Sequence, residues 1–152
     1  MNRELYQELI LEHFRSPRFK QALAISDPGV FTLQNPHCGD QVILRAIELD
    51  EGRLRWEHNA SGCAASVAST SMLCEQLQGL EVGEARVQIE AFLNALRSPV
   101  NANSPLDASS MLPEAMQGNL ELEALLLFRS NAARQFCVSL AWTCAENALA
   151  AL

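Results

Sequence analysis

The sequence has no apolar segment that could cross a membrane. Its longest apolar runs, such as residues 124–128, stop after five residues, whereas a membrane-spanning helix needs about 20. Glu4, Glu8 and Glu12 interrupt the N-terminal segment, which is not typical of a signal peptide. Both absences predict a cytoplasmic protein without a membrane partner.

Basic residues are also scarce. Lys and Arg number 11 against 18 Asp and Glu, which gives a net charge of −7. This balance disfavours a nucleic-acid-binding role, because phosphate contacts need a surplus of cationic side chains. The 152 residues are 49% hydrophobic, which is enough for one core of normal size. We therefore predict a single domain over residues 1–152.

Cysteine is the most informative residue type in the composition. The chain has an odd number of cysteines and no export signal, so a disulfide framework is not expected. Free thiols, metal ligands or a catalytic nucleophile are the alternatives. The five are Cys38, Cys63, Cys74, Cys137 and Cys144.

Hydrophobic periodicity predicts an α+β domain. Residues at a spacing of four indicate a helix over 3–15, and the turn Asp50-Glu51-Gly52 joins two of three predicted strands as a hairpin. Residues 98–120, rich in Pro, Ser and Asn, predict a surface loop with at most a short helix. The strands are expected at 30–33, 42–49 and 54–59, and the further helices at 63–78, 83–96, 120–132 and 134–151. The architecture is a small antiparallel three-stranded sheet packed against a layer of helices.

Two cysteines lie in turns that lead into a strand or a helix. Cys38 precedes the long strand, and Gly39 lets the backbone bend so that the Cys38 thiol and the Asp40 carboxylate can converge. Cys63 follows Gly62 at the start of a helix, where free N–H groups and the helix dipole stabilise a thiolate. Either cysteine alone is compatible with a small buried residue, but the pair favours a site.

Helix geometry limits how the other thiols can join these two. Cys74 lies about 16 Å along the helix from Cys63, and Cys144 about 10 Å from Cys137, at roughly 1.5 Å per residue. Two sulfurs on one zinc ion lie within about 4.6 Å, so each helix supplies at most one ligand. Cys137, near the start of the last helix, is favoured over Cys144, and Cys74 and Cys144 are expected in the core.

The resulting set combines three thiols and one carboxylate. It suits a tetrahedral zinc ion or an iron–sulfur cluster. The predicted ligands are Cys38, Asp40, Cys63 and Cys137.

Four ordered motifs resemble the NifU/IscU-like iron–sulfur cluster assembly proteins. They lie at residues 5–18, 35–40, 62–75 and 133–142, so they are distributed along nearly the whole chain. Three of them contain a site cysteine: Asn35-Pro36-x-Cys38-Gly39-Asp40, Gly62-Cys63-Ala64-x-Ser66 and Ala133-Arg134-x-x-Cys137. The resemblance implies a SufE/NifU-like fold.

Within this family the chain is most similar to the SufU branch. Residues 98–120 hold the extra length between Cys63 and Cys137, where SufU-type proteins carry an insertion. The Leu-Pro-Pro-Val-Lys stretch of IscU-type scaffolds is absent. Arg134 stands three residues before the last motif cysteine, as in SufU-type members, which implies that it supports a persulfide or a partner contact.

Phe136 departs from the family pattern. IscU-type members have His at this position and SufU-type members commonly Lys, whereas Phe can neither bind a metal nor donate a hydrogen bond. Asp40 is therefore the natural fourth ligand, and because it lies in a loop, its replacement by Ala is expected to spare the fold. His37 is the alternative ligand, but it is expected to face solvent. His13 and His58 are expected to be structural.

The resemblance implies a role in iron–sulfur cluster assembly. The chain would accept persulfide sulfur from a PLP-dependent cysteine desulfurase of the SufS type, as a zinc-dependent sulfurtransferase, and pass it to downstream assembly proteins. Cys38 is the expected acceptor, because its loop can move more easily than a helix start. Direct scaffolding of a 2Fe–2S cluster on the same cysteines is the alternative.

Two functions from other classes are also compatible with parts of the sequence. One is a thiol hydrolase that uses Cys63 with His58 or His37 as its base. The other is a binding module in which zinc only holds the fold together.

Overall fold

The computed structural model describes residues 3–99 and 109–152. Three strands and five helices lie within these ranges and confirm the predicted α+β class. The strands are β1 (Phe31–Gln34), β2 (Gln41–Glu48) and β3 (Leu54–His58), and the helices are α1 (Arg3–Arg15), α2 (Ala64–Leu77), α3 (Val82–Arg97), α4 (Leu120–Leu126) and α5 (Ala132–Ala150).

The three strands form an antiparallel sheet in the order β1-β2-β3. Leu44 in the central strand lies opposite Phe31 on one side and His58 on the other. Leu44, Leu54 and Trp56 are completely buried in the core that the sheet shares with the helices. The predicted hairpin is confirmed, and its turn, Asp50–Gly52, is a short 3-10 helix in which Glu51 and Gly52 have positive φ.

Helix α2 packs closely against α5 through small side chains. The Ser69 hydroxyl donates to the Val138 carbonyl at 2.7 Å and accepts the indole N–H of Trp142 at 3.1 Å. Trp142 in turn stacks on Phe92 with ring centroids 4.0 Å apart. The small residues let the two helix backbones approach each other. As a result, the start of α2 and the first turns of α5 both lie beside the loop before β2.

Several element ends differ from the prediction by a few residues. The predicted helix at 120–132 is shorter, since α4 ends at Leu126 and a 3-10 helix, Leu127–Ser130, follows it. Helix α5 begins two residues earlier than predicted, because the Asn131 side chain caps it by accepting the Arg134 N–H at 3.2 Å.

The structure describes part of the predicted loop at 98–120. Residues 100–108 lie outside the described residues, and the later part contains the 3-10 helix Glu114–Met116. Within residues 3–99 and 109–152, no helix is both long enough and apolar enough to span a membrane.

His13 is buried in a polar cluster between α1, α2 and α4. Its Nδ1 lies 2.7 Å from the Ser71 hydroxyl, and its Nε2 pairs with the Glu121 carboxylate. Glu75 and Glu121 are also close together, and the Arg18 guanidinium lies 3.6 Å from Glu75. The arrangement joins three helices, as expected for a structural histidine.

His58 is a second buried histidine, and both of its ring nitrogens have backbone partners. Nε2 donates to the Arg18 carbonyl at 2.9 Å, and Nδ1 accepts the Ala60 N–H at 3.1 Å. Burial lowers the pKa of His58 to about 4. Because both nitrogens are occupied, His58 is not available as a catalytic base, and the hydrolase interpretation loses one of its two candidates.

This histidine makes the free energy of unfolding depend on pH. Between pH 6.5 and 4 the imidazole of His58 binds a proton in the unfolded chain but not in the folded chain. The contribution of neutral His58 to the free energy of unfolding is therefore complete above pH 6.5, the pKa in the unfolded chain, and is lost as the pH falls towards 4. The loss amounts to about 3 kcal/mol, at 1.36 kcal/mol per pKa unit. We expect urea unfolding across this range to show a smaller pH dependence for His58→Gln than for the parent, whereas His37→Gln should match the parent. Equal pH dependence in the parent and His58→Gln would contradict this assignment.

Candidate metal and thiol site

The loop between β1 and β2 folds back on itself and carries Cys38 at its tip. The Asn35 N–H donates to the Asp40 carbonyl at 2.9 Å, and the Gly39 N–H donates to the Asn35 carbonyl at 3.1 Å. Gly39 has a φ of +70°, which supplies the bend predicted from the sequence. As a result the exposed Cys38 sulfur lies 3.3 Å from Asp40 Oδ2.

Asp40 connects this loop to the start of α2. Its Oδ1 accepts the Cys63 N–H at 2.8 Å, and its Oδ2 lies 3.5 Å from the Cys63 sulfur. The residue is completely buried. Burial opposes ionisation and is the largest single influence, but the hydrogen bonds from the Cys63 N–H and the neighbouring thiols together hold the pKa of Asp40 below its usual value.

The burial of Asp40 revises the expectation that its replacement by Ala spares the fold. Although the residue lies in a loop, its carboxylate is the acceptor for a backbone N–H at a helix start. Its loss would leave that N–H without a partner in a buried position, which costs stability. Replacement by Ala is therefore expected to affect the fold as well as the site.

Cys137 completes the group from α5. It is 2% exposed, and its sulfur lies 3.7 Å from the Cys38 sulfur. Burial, followed by hydrogen bonds with Asp40 and Cys38, raises the pKa of the Cys137 thiol. These surroundings therefore favour the neutral thiol of Cys137 over its thiolate.

The structure places three of the four predicted ligand atoms close to one another, and the fourth, the Cys63 sulfur, beside the shared carboxylate. The ligand atoms of Cys38, Asp40 and Cys137 all lie within 4.8 Å of one another, and the Cys63 sulfur contacts the same carboxylate. The separation of 3.7 Å between two of the sulfurs is within the limit of about 4.6 Å for two thiolates on one zinc ion. Three sulfurs and one carboxylate oxygen are a donor set that zinc accepts, so the residues fit this metal.

The remaining thiols lie in the core, as expected. Cys74 and Cys144 are completely buried. Burial raises the pKa of both, that of Cys144 to about 12. These two cysteines are packing residues.

Three side chains near the cysteines are exposed. His37 donates its backbone N–H to the Asn35 side chain, and Arg134 donates its backbone N–H to Asn131. Within the described part of the chain, the Arg134 guanidinium has no hydrogen bond or ion pair. Phe136 is 47% exposed, directly before Cys137. The supporting role of Arg134 stays a prediction.

Asn35 is a site residue that the sequence analysis did not identify as one. Its side-chain N–H₂ donates to the Cys38 sulfur at 2.7 Å and to the Cys137 sulfur at 3.6 Å, while its Oδ1 accepts the His37 N–H at 3.0 Å. The bond to Oδ1 fixes the orientation of the amide, so the donor end faces the two sulfurs. An Asn directly before Pro in a cysteine loop is a signal for such an Asx turn.

Gly62 is the position at which any side chain would displace Asp40. A Cβ there would lie 2.2 Å from Asp40 Oδ1 and 2.7 Å from its Cα, and the φ of Gly62 is +124°. Gly79 also has a positive φ, of +77°, but a Cβ there meets nothing within 4 Å. Gly79 is therefore the control for a positive-φ glycine with free space around its Cβ position.

We expect Gly62→Ala to destabilise the fold and weaken metal retention. The Gly79→Ala variant should lose about 1 kcal/mol from its backbone conformation, and Gly62→Ala at least about 2 kcal/mol more because of the overlap with Asp40. Urea unfolding and zinc competition with a chromogenic chelator measure the two effects. Similar losses in both variants would show that Gly62 is not constrained by the site.

The described residues therefore form an α+β domain with a site of three thiols and one carboxylate. The family described as the NifU-like N terminal domain matches residues 5–121, and the chain belongs to that family. It is 28% identical over 147 residues to the zinc-dependent sulfurtransferase SufU of Bacillus subtilis, covering 96% of this chain and 90% of that protein. It is 32% identical to the iron–sulfur cluster assembly scaffold protein IscU 1 of Archaeoglobus fulgidus, over 60% of each chain.

A solved structure shows the same fold. The NifU-like N-terminal protein of Brucella abortus superimposes with a TM-score of 0.71, over 97% of this chain and 93% of that one, at 21% sequence identity. The likeness confirms the predicted NifU-like architecture.

Proposed function

We propose that this chain accepts persulfide sulfur on Cys38 from a PLP-dependent cysteine desulfurase during iron–sulfur cluster assembly. The observation that carries the proposal is the position of Cys38. It is the exposed thiol of the group, and its sulfur contacts a buried carboxylate and a buried thiol. A partner can therefore reach this sulfur from outside, while the groups that orient it lie behind it.

The relatives support this assignment. The SufU protein of B. subtilis, which matches nearly the whole chain, is named a zinc-dependent sulfurtransferase. The relative from A. fulgidus is named an assembly scaffold. Both names support a role in sulfur or cluster handling for this chain, and the first fits the exposed thiol.

Cys38, Asp40, Cys63 and Cys137 would hold zinc in this site. A bound zinc ion keeps thiols deprotonated and protects them from oxidation. The protein groups supply the rest of the arrangement, since Asn35 orients the Cys38 sulfur through its amide. Asp40 fixes the loop to the start of α2 through the Cys63 N–H.

The transfer itself is a thiol–persulfide exchange. The Cys38 thiolate attacks the outer sulfur of the desulfurase persulfide, and a new S–S bond forms on Cys38. The S–S bond of the desulfurase breaks, and its electron pair returns to the desulfurase cysteine as a thiolate. The sulfur then resides on an exposed loop, where a downstream assembly protein can collect it.

Scaffolding of a 2Fe–2S cluster as cargo is the second candidate function. The relatives named as scaffolds favour it. The three site cysteines would also be the cluster ligands. Cluster formation on the isolated chain, followed by its absorption spectrum, distinguishes this role from sulfur acceptance alone.

Metal analysis combined with a desulfurase assay tests the proposal. We expect about one zinc ion per purified chain, and a faster desulfurase turnover when the chain is added. Chelation should abolish the stimulation and leave the circular dichroism spectrum largely unchanged. A chain that unfolds on chelation would instead be a domain in which zinc is structural, and a chain with no affinity for zinc and no effect on the desulfurase would contradict the proposal.

A further inference from the structure

We propose that Cys137 is a resolving thiol that discharges a persulfide on Cys38 as hydrogen sulfide and closes a Cys38–Cys137 disulfide. The inference rests on the proposed function, because it begins with a sulfur carried by Cys38. It adds a second outcome for that sulfur, which is release as sulfide when no downstream protein collects it.

The geometry of the two sulfurs carries the proposal. They lie 3.7 Å apart, and a disulfide requires about 2 Å, so a displacement of less than about 2 Å joins them. Cys38 lies on a loop that can supply this movement, whereas Cys137 is held in α5. The Asn35 amide donates to both sulfurs and keeps them next to each other.

The difference in burial gives the two thiols different roles. Cys38 is exposed, while Cys137 is 2% exposed. An external sulfur donor therefore reaches Cys38, and Cys137 is reached through Cys38. The exposed thiol of Cys38 would accept the sulfur, and the buried thiol of Cys137 in contact with it would then displace that sulfur as sulfide.

The step balances without an external reductant. The Cys137 sulfur attacks the inner sulfur of the Cys38 persulfide, and the bond between the inner and outer sulfurs breaks. Cys137 attacks as the thiolate, any proton on its sulfur having passed to solvent, and the outer sulfur leaves with the electron pair as hydrosulfide, HS⁻, which solvent protonates to H₂S. The two cysteine sulfurs are oxidised to the disulfide while the sulfane sulfur is reduced to sulfide. An external dithiol then restores the two thiols for another cycle.

Cys63 provides the matched control. Its sulfur contacts Asp40 Oδ2 at 3.5 Å, but it lies outside the three mutually close ligand atoms that include those of Cys38 and Cys137. Cys63→Ser and Cys137→Ser each remove one thiol from the proposed zinc ligands. Any consequence of metal loss is therefore common to both variants, and only Cys137→Ser removes the resolving sulfur.

The experiment loads the full chain with sulfur in two arms, one with glutathione persulfide and one with a desulfurase and cysteine. After rapid removal of the donor, released sulfide is measured colorimetrically, and the mass of each peptide is determined with and without reduction. We expect the parent in both arms, and Cys63→Ser in the glutathione persulfide arm, to release about one sulfide per loaded chain and to form the 38–137 disulfide. In the glutathione persulfide arm, Cys137→Ser and Cys137→Ala, checked for folding by circular dichroism, should retain the extra sulfur on Cys38 at least about tenfold longer.

The two arms separate this inference from the proposed function. Equal release from the parent and from both Cys137 variants would overturn the resolving role, even when the desulfurase loads Cys38. Loading by glutathione persulfide but not by the desulfurase, with release that depends on Cys137, would support the resolving chemistry and contradict the desulfurase partnership. A chain that acquires sulfur on Cys38 from neither donor would overturn both.

Discussion

Replacement of Cys38, Cys63 or Cys137 by serine is expected to reduce desulfurase stimulation to the rate of the desulfurase alone. Cys38 and Cys63 contact the Asp40 carboxylate through their sulfurs, and Cys137 contacts the Cys38 sulfur. We therefore expect the three thiols to act as one unit, since the loss of any one removes both a proposed metal ligand and part of the proposed acceptor environment. The initial rate of cysteine turnover with saturating chain is the measurement.

The other two cysteines are the controls for this series. Cys74 and Cys144 are buried in the core, and their serine variants should retain most of the stimulation at temperatures where they are folded. Circular dichroism on the same samples identifies any variant that fails to fold. An essential Cys144 together with a dispensable Cys137 would show that the last helix is placed in the wrong register.

Replacement of Asp40 by alanine is expected to weaken both zinc retention and the fold. The variant loses the carboxylate and leaves the Cys63 N–H without its acceptor, which costs about 1–3 kcal/mol of unfolding free energy. Asp40→Asn separates the two effects, since its side-chain carbonyl can still accept that N–H but carries no charge. We expect the Asn variant to keep most of its stability and to lose zinc to a chelator faster than the parent.

One result for the Asp40 variants would contradict the assignment of Asp40 as the fourth ligand. If Asp40→Asn held zinc as tightly as the parent while His37→Ala lost it, the fourth ligand would be His37. The exposed position of His37 and the burial of Asp40 both argue for the carboxylate. Chelator competition measured on all three variants decides between these two residues.

Much of the fold follows from local patterns in the sequence. Alternation and the Asp50-Glu51-Gly52 turn located the hairpin to within a residue, because an antiparallel pair needs only a tight turn and one apolar face. The small residues at the start of α2 let it pack closely on α5, as the contact between Ser69 and Val138 shows. The end of α4 was less predictable, since apolar residues continue into the 3-10 helix at Leu127–Ser130 and give no signal for the change.

The grouping of the four candidate ligands was also predictable, whereas the way in which the site is held was not. Helix spacing limits each helix to one ligand, and the positions of the cysteines within the helices favour Cys63 over Cys74 and Cys137 over Cys144. The burial of Asp40 and the steric constraint at Gly62 depend on how the loop before β2 meets the start of α2, and the contact of Asn35 with Cys137 depends on where α5 lies. These are contacts between segments more than 20 residues apart, and no local pattern encodes them.

The central claim is that Cys38 receives the sulfur, and peptide mass analysis after desulfurase loading tests it most directly. The chain is mixed with a desulfurase and cysteine, quenched within one turnover by an alkylating agent, and digested. We predict the additional mass of one sulfur atom on the peptide of the parent that contains Cys38. Additional sulfur on the Cys63 or Cys137 peptide of the parent at the earliest times, with Cys38 unmodified, would contradict the account.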